Sequence, residues 1–147
     1  MITDLERNDV GRVCEYGTLT LTKEREVMEL PNLWHTYSEV QGRLRSDATP
    51  SEVISAMFPG GSITGCPKKR AMEHIERLED LPRNIFTGSI GYVSNGRMDF
   101  NICIRTLLIR NGQLEFWAGG GIVMDSDPES EYAECMLKAQ KFLEIFK

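Results

Sequence analysis

The chain has 147 residues, of which 41% are hydrophobic and 27% are charged, and its formal net charge is −5. This composition is that of a globular domain with a core, and it excludes a disordered chain. An acidic chain without a concentration of Lys and Arg is not expected to bind nucleic acid. No apolar run reaches the roughly 20 residues that cross a bilayer, so we expect no membrane partner either.

The four cysteines are scattered along the sequence, and no Cys-x-x-Cys pair is present. Zinc and dithiol sites are therefore poorly supported. Scattered cysteines without a recognisable signal peptide are typical of a reducing compartment. We expect a cytoplasmic protein.

The first half of the chain contains predicted strands followed by predicted helices. Residues 18–22 alternate strictly between threonine and leucine, which indicates a strand, and the aromatic and β-branched stretch 33–44 indicates a second. The Thr-Pro-Ser-Glu sequence at 49–52 is a capping box that predicts a helix ending near Phe58. A further helix is predicted over 67–78.

The second half reads as two hairpins and a final helix. Strands are predicted over 86–93, 98–109 and 114–118, because Ser-Asn-Gly and Asn-Gly sequences separate these apolar runs. A helix is predicted over 128–146, with a buried stripe formed by Tyr132, Met136, Ala139, Leu143 and Phe146. Together the elements predict an α+β fold, a mainly antiparallel sheet with helices packed outside it.

Two glycine-rich segments are candidates for ligand contact. Residues 60–68 combine glycines with a helix start that presents free amides, but the Gly-Lys-Ser/Thr order of a phosphate loop is absent around Lys68. A plain loop entering a helix remains the alternative. Three consecutive glycines at 119–121 follow a strand, so either the backbone turns sharply there or a ligand packs against bare amides.

Several charged side chains have both a structural and a functional interpretation. Glu131, Glu134 and Lys138 share one helix face, which predicts either a solvated ion pair between Glu134 and Lys138 or a magnesium site. Arg105 is either an outward-facing strand residue or a partner for a substrate carboxylate. His35, between aromatic residues, is by default a structural histidine.

Six motifs occur in an order that resembles the chorismate-binding enzymes. They are DLERNDVGR at 4–12, FPGGSITGCPK at 58–68, GSIGY at 88–92, IRT at 104–106, AGGGIV at 118–123, and DSDPESEY at 125–132 followed by Glu134. Each motif is weak by itself, but jointly they are specific and cover nearly the whole chain. The resemblance implies the C-terminal half of the chorismate-binding fold.

The resemblance also implies roles for individual residues. It implies Mg²⁺ as the cofactor, with Glu134 as a metal ligand and Glu131 nearby. The positions that match substrate-binding groups are Thr64, Gly65, Phe86, Arg105, Gly119, Gly120 and Gly121. His35 matches a histidine close to the substrate ring, which makes it the candidate catalytic residue.

Within the family, the SITGCPK sequence at 62–68 favours the two ammonia-using branches over the isochorismate branch. The GSIGY and IRTL sequences, with Phe86 in place of a tyrosine, favour amination of chorismate to 4-amino-4-deoxychorismate, on the route to para-aminobenzoate and folate. The implied partners are chorismate and a glutamine amidotransferase subunit that supplies ammonia. The alternatives are the anthranilate branch or a non-catalytic fragment of either branch.

The resemblance begins part-way through the family's catalytic domain. Residues 1–147 therefore match its C-terminal portion, and the N-terminal portion would carry another metal-binding glutamate and, in the 4-amino-4-deoxychorismate branch, a nucleophilic lysine. On this basis we expect the 147-residue chain alone to be inactive.

Overall fold

The computed structural model describes residues 2–31 and 33–145. The chain folds into two compact units, Met1–Glu79 and Asp80–Lys147. Each unit combines helix with antiparallel strand pairing, and all three strand pairs in the described residues are two-stranded hairpins. The predicted α+β class with antiparallel pairing is confirmed.

The first unit contains one long hairpin and four helices. Its elements are α1 (Ile2–Gly11), β1 (Thr20–Leu30), β2 (Leu33–Gln41), α2 (Pro50–Met57), α3 (Gly61–Thr64) and α4 (Lys68–Leu78). Helix α1 packs against β2, α2 and α3, and α3 also contacts α4. The unit is therefore organised around α1, a segment for which the sequence predicted no secondary structure.

The helix starts of the first unit follow the local sequence. Thr49 caps α2, its hydroxyl accepts the backbone N–H of Glu52, and the carboxylate of Glu52 accepts the backbone N–H of Thr49 in return. Pro67 is the N-cap of α4, so this helix begins one residue later than predicted. The predicted strand at 18–22 continues to Leu30, past bulges that the charged sequence after Thr22 did not reveal.

The second unit contains two short hairpins and one long helix. Its elements are β3 (Ser89–Ser94), β4 (Arg97–Ile102), β5 (Leu107–Arg110), β6 (Gln113–Phe116) and α5 (Pro128–Ile145). Each hairpin turns through an Asn-Gly pair in which both residues have positive φ, with values of 48° and 73° in one turn and 52° and 75° in the other. Two consecutive positive φ angles are what a two-residue hairpin turn of this kind requires, so both predicted turns are confirmed.

The predicted strand over 98–109 is wrong in its middle. The backbone leaves the sheet at 103–106, where the amide of Ile104 bonds to the carbonyl of Ile102 and Arg105 has a φ of 50°. Cys103 is buried there, and its backbone N–H and C=O bond to Gly88 and Thr87. No glycine, proline or asparagine marks this break in the sequence. Phe86 likewise lies in a turn before β3 rather than in a strand.

The predicted buried stripe of α5 is also wrong. Tyr132, Met136 and Leu143 are 68%, 44% and 50% exposed, and only Ala139 of the stripe is buried, while Phe146 lies outside the described residues. The less exposed face is rotated relative to the stripe and consists of Glu131, Cys135, Lys138, Ala139 and Phe142. Phe142 stacks on Phe116 of β6 with ring centroids 4.3 Å apart. The inner face of α5 therefore carries charge toward the glycine-rich segment.

Large apolar side chains remain exposed in the second unit. In β3 and β4 they include Ile90, Tyr92, Val93 and Phe100, with exposures from 42% to 57%. In the described part of the chain, no helix has the length and apolar character that spanning a membrane requires.

Candidate functional site

The three-glycine segment of the second unit lies against the charged face of α5. A Cβ atom on Gly120 would be 3.2 Å from Oε2 of Glu131 and 4.0 Å from Oε1 of Glu134. The first distance is tighter than ordinary side-chain contact, so a glycine at this position lets the backbone approach the carboxylates. The structure thus brings together three of the predicted site residues.

Each carboxylate is oriented by a neighbour. The hydroxyl of Ser126 donates to Oε1 of Glu131 at 2.5 Å, which leaves Oε2 facing Gly120. Lys138 forms an ion pair with Glu134 at 2.5 Å and donates to the carbonyl of Gly119 at 3.2 Å. The hydrogen bond and positive charge of Lys138 lower the pKa of Glu134, so this carboxylate is negatively charged at neutral pH. The ion pair predicted for these two residues is present.

The backbone N–H groups of Gly119, Gly120 and Gly121 have no hydrogen-bond partner in the described part of the chain. No hydrogen bond within residues 2–31 and 33–145 engages them, and all three residues are exposed. None of the three has a positive φ, and a Cβ on Gly121 would meet nothing within 4 Å. The chain also forms no turn or bend at 119–121, so the sharp-turn explanation fails for this segment. The segment presents free donors of the kind that bind carboxylates.

Phe86 lies at the other end of the same segment. A Cβ on Gly119 would be 3.5 Å from the tip of the Phe86 ring, which stacks on Trp117 with centroids 6.2 Å apart. The guanidinium of Arg83 lies over the same ring, 5.5 Å from its centroid. Phe86, Gly119, Gly120, Glu131 and Glu134 thus form one continuous site, which we call the glycine–carboxylate site.

Arg105 lies in the same unit at the break between β4 and β5. Its side chain is exposed, and no hydrogen bond or ion pair within the described residues engages its guanidinium. The left-handed backbone conformation of Arg105 is uncommon for a residue with a Cβ. The strand assignment of Arg105 is wrong, because the residue lies at the break between β4 and β5. Its role as a partner for a substrate carboxylate stays a prediction.

The three remaining candidates lie in the first unit. His35 is exposed on β2, opposite Met28. Thr64 ends α3, where its hydroxyl donates to the carbonyl of Gly60 at 3.0 Å, and Gly65 follows with a φ of 104°. That conformation is nearly restricted to glycine, which explains the residue at this position.

Sequence reasoning missed the buried Asp9 and its partner. Asp9 is fully buried and forms a 2.8 Å ion pair with Lys68. Lys68, the lysine of the segment that was compared with a phosphate loop, is therefore already paired with an internal carboxylate. One sequence signal was available, since Asp9 lies four residues after Leu5, a spacing that puts both residues on the same face of α1.

The glycine–carboxylate site fits the chemistry of a magnesium ion in part. Carboxylate oxygens are the ligands that Mg²⁺ prefers, and it usually takes one or two of them from a protein. Glu131 and Glu134 supply two, facing a backbone that leaves space beside them. Among the described residues, no group of three or more metal-ligating side chains converges anywhere. A complete site would thus need water or substrate oxygens, or further protein groups.

Comparison with known proteins decides the family. Residues 1–144 match the family described as chorismate binding enzyme. The chain belongs to the chorismate-binding enzyme family. The resemblance drawn from the six motifs is confirmed.

The relatives of this chain are named either anthranilate synthase component I or aminodeoxychorismate synthase. The anthranilate synthase component I-like protein of Synechocystis is 46% identical over 144 residues, covering 97% of this chain and 30% of that protein. Aminodeoxychorismate synthase component 1 of Bacillus subtilis is 44% identical over 149 residues, covering 99% of this chain and 32% of that protein. The chain thus spans about a third of the length of these relatives.

A solved structure shares the fold. The crystal structure of anthranilate synthase component I from Streptococcus pneumoniae matches with a TM-score of 0.85 and 41% identity, over 95% of this chain and 32% of that one. This chain therefore has the fold that its motifs implied. The names of the relatives do not separate the aminodeoxychorismate synthase branch from the anthranilate synthase branch.

Proposed function

We propose that this chain is part of an enzyme that aminates chorismate to 4-amino-4-deoxychorismate in a Mg²⁺-dependent reaction. The observation that supports this most is the glycine–carboxylate site, in which exposed free amides, an aromatic ring and two carboxylates lie side by side. Chorismate is a dianion with an apolar ring. Free amides suit one carboxylate, and an aromatic surface suits the ring.

The chain's own residues would bind and orient this substrate. Gly119, Gly120 and Gly121 would donate backbone hydrogen bonds to the enolpyruvyl carboxylate, and Arg105 would add its planar pair of donors. Because Arg105 has no protein partner in the described structure, its guanidinium is available for an anion. Phe86 would pack against the substrate at the Gly119 end of the site.

Glu134 and Glu131 would hold the metal ion. When bound, Mg²⁺ supplies positive charge for the ring carboxylate of the substrate. The pKa of Glu134 is lowered by Lys138, so the carboxylate is ready to bind a cation without losing a proton. Lys138 would exchange its contact with Glu134 for one to the substrate or to solvent.

Three further candidate residues belong to the first unit. We propose that Thr64 and Gly65 lie beside the ring carboxylate and that His35 orients the substrate or assists proton transfer. Ammonia would come from a glutamine amidotransferase subunit. The four free cysteines suit a reducing compartment, so we propose a cytoplasmic enzyme.

The activity would require polypeptide in addition to these residues. The exposed apolar side chains of β3, β4 and α5 offer a surface for it, and two carboxylates alone make an incomplete metal site. Anthranilate formation is the second candidate, because a relative of that name shares both sequence and fold with this chain. Phe86 favours the first candidate, since the anthranilate branch is expected to have a tyrosine there.

Product analysis tests this proposal. The full-length protein that contains this chain is incubated with chorismate, MgCl₂ and an ammonium salt, and products are separated by chromatography. We expect 4-amino-4-deoxychorismate from the full-length protein and no product from the 147-residue chain alone. Anthranilate would overturn the choice of branch. No consumption of chorismate by the full-length protein would overturn the enzymatic function itself.

A further inference from the structure

The most buried charge in the described structure is Asp9, which the mechanism above does not use. Its Oδ1 atom lies 2.8 Å from Nζ of Lys68, and its Oδ2 atom accepts the backbone N–H of Gly61 at 2.8 Å. The side-chain amide of Asn8 lies 3.5 Å from Oδ1. Asp9 is 0% exposed. Both carboxylate oxygens are therefore satisfied inside the first unit.

Lys68 connects this carboxylate to two further helices. It is the first residue of α4, its side chain is 14% exposed, and Nζ also donates to the carbonyl of Ala56 near the end of α2 at 2.8 Å. A buried ion pair is stabilising only when its geometry and remaining hydrogen bonds are good, and here they are. The pair thus joins α1, α2, α3 and α4 at one point.

The segment between these contacts contains two of the proposed substrate-binding residues. Thr64 and Gly65 lie between Gly61, which is bonded to Asp9, and Lys68. The amides of Thr64 and Gly65 bond to the carbonyls of Gly60 and Gly61 at 3.0 and 2.9 Å. Space is tight on the inner side, since a Cβ on Gly61 would lie 3.2 Å from both Oδ2 of Asp9 and Sγ of Cys66. Residues 60–66, which comprise α3 and the residues on either side of it, are called the 60–66 loop below. This loop is thus fixed at both ends by one ion pair.

We propose that Asp9 and Lys68 are positioning residues that hold the 60–66 loop in the shape needed to present Thr64 and Gly65 to the substrate. They do not contact the substrate themselves. The positioning of substrate rests on the proposed function, whereas the anchoring of the loop does not. Charge neutralisation within the pair also keeps a buried negative charge from acting on an anionic ligand.

A double-mutant cycle in the full-length protein tests the proposal. Asp9→Asn keeps the size of the side chain and one acceptor but removes the charge, and Lys68→Met removes the cation. The double variant removes both charges and leaves no lone buried charge, so it remains informative if a single variant fails to fold. Lys68→Arg is the conservative variant, and Lys23→Met, which breaks an exposed ion pair with Glu39 on the hairpin, is the matched control.

Two measurements distinguish positioning from general stability. Hydrogen exchange of the ligand-free protein reports the amides of Gly61, Ile63, Thr64 and Gly65, all of which are hydrogen-bonded in the loop. Steady-state kinetics report KM for chorismate and kcat separately. We expect the single and double variants to raise loop exchange and KM by about tenfold or more, with kcat within about threefold of wild type. Lys68→Arg should recover most of both effects, and Lys23→Met should change neither.

The outcomes separate the anchoring from the proposed function. Unchanged loop exchange in the double variant would overturn the proposal, as would an unchanged KM alongside a fall in thermal stability alone. If the wild-type protein neither binds nor consumes chorismate, the proposed function fails and with it the positioning of substrate. Loop exchange would still show in that case whether Asp9 and Lys68 anchor the loop.

Discussion

Two glycine-rich segments of this chain differ in how the polar groups around them are paired and buried. The 60–66 loop surrounds a buried ion pair whose polar atoms all have partners, whereas the 119–121 segment lies beside exposed carboxylates and offers amides without partners. The sequence of each segment predicts ligand contact about equally well. The comparison teaches that glycines serve two purposes in this chain: at Gly61 a glycine allows close packing around an internal ion pair, whereas at 119–121 glycines leave backbone amides free for a ligand.

The largest expected difference concerns the two lysines. Lys68→Met strands the carboxylate of Asp9 in the interior, and we expect it to lower the free energy of unfolding by about 3–5 kcal/mol. Lys138→Met breaks a partly exposed ion pair and should leave stability nearly unchanged, because solvent screens such pairs. Denaturant unfolding of the full-length protein measures both. Equal effects for the two lysines would remove the distinction between the segments.

The glycines of the two segments should also respond differently. Gly61→Ala forces a Cβ against Asp9 and Cys66 in a packed interior, so we expect a loss of about 1–3 kcal/mol. Gly120→Ala forces a Cβ only against the end of the Glu131 side chain, which can move. We therefore expect unchanged stability for Gly120→Ala but weaker binding of chorismate. Thermal unfolding with chorismate titration tests this, and a destabilised Gly120→Ala protein would contradict it.

Substitution of Arg105 tests whether its exposed guanidinium binds an anionic group of the substrate. Arg105→Lys keeps the charge but loses the planar two-donor geometry, so we expect kcat/KM for chorismate to fall by about tenfold. Arg110→Lys, at the exposed end of β5, is the matched control and should behave like wild type. An unchanged dependence of rate on chorismate concentration in Arg105→Lys would show that this arginine has no role in the site.

The smallest expected effect is on stability at Glu52, an exposed carboxylate whose hydrogen-bond partners are in Thr49. The hydrogen bond from the backbone N–H of Thr49 lowers the pKa of Glu52. A lowered folded-state pKa gives stabilisation that is present above the unfolded pKa and is lost as pH falls through the folded value. We expect the small stability difference between wild type and Glu52→Gln to vanish in acid. Carboxyl NMR titration of Glu52 checks the shift, and an ordinary pKa would contradict it.

Local sequence predicted the elements whose structure depends on adjacent residues. The capping box at Thr49 and the two Asn-Gly turns are confirmed, because their geometry requires only nearby atoms. The break at Cys103–Thr106 was missed, since it is set by backbone bonds to Thr87 and Gly88 and leaves no local mark.

The sequence indicated some parts of the candidate site and missed others. Phe86, Gly119, Gly120, Glu131 and Glu134 lie together in the structure, and their roles toward substrate and metal stay predictions. The inner face of α5 was misassigned, because helical periodicity shows which residues align but not which neighbouring surface they meet. The partnership of Asp9 and Lys68, 59 residues apart in the sequence, could not be predicted from spacing.

Magnesium affinity tests the central claim, that the glycine–carboxylate site is the functional centre of the chain. Mg²⁺ is titrated calorimetrically into the full-length protein, its Glu134→Gln variant and a Glu129→Gln control on the same helix. The account predicts that Glu134→Gln weakens Mg²⁺ binding by about tenfold or more and lowers ammonia-dependent activity, whereas Glu129→Gln changes neither. Mg²⁺ affinity and activity of Glu134→Gln within about threefold of wild type would contradict it.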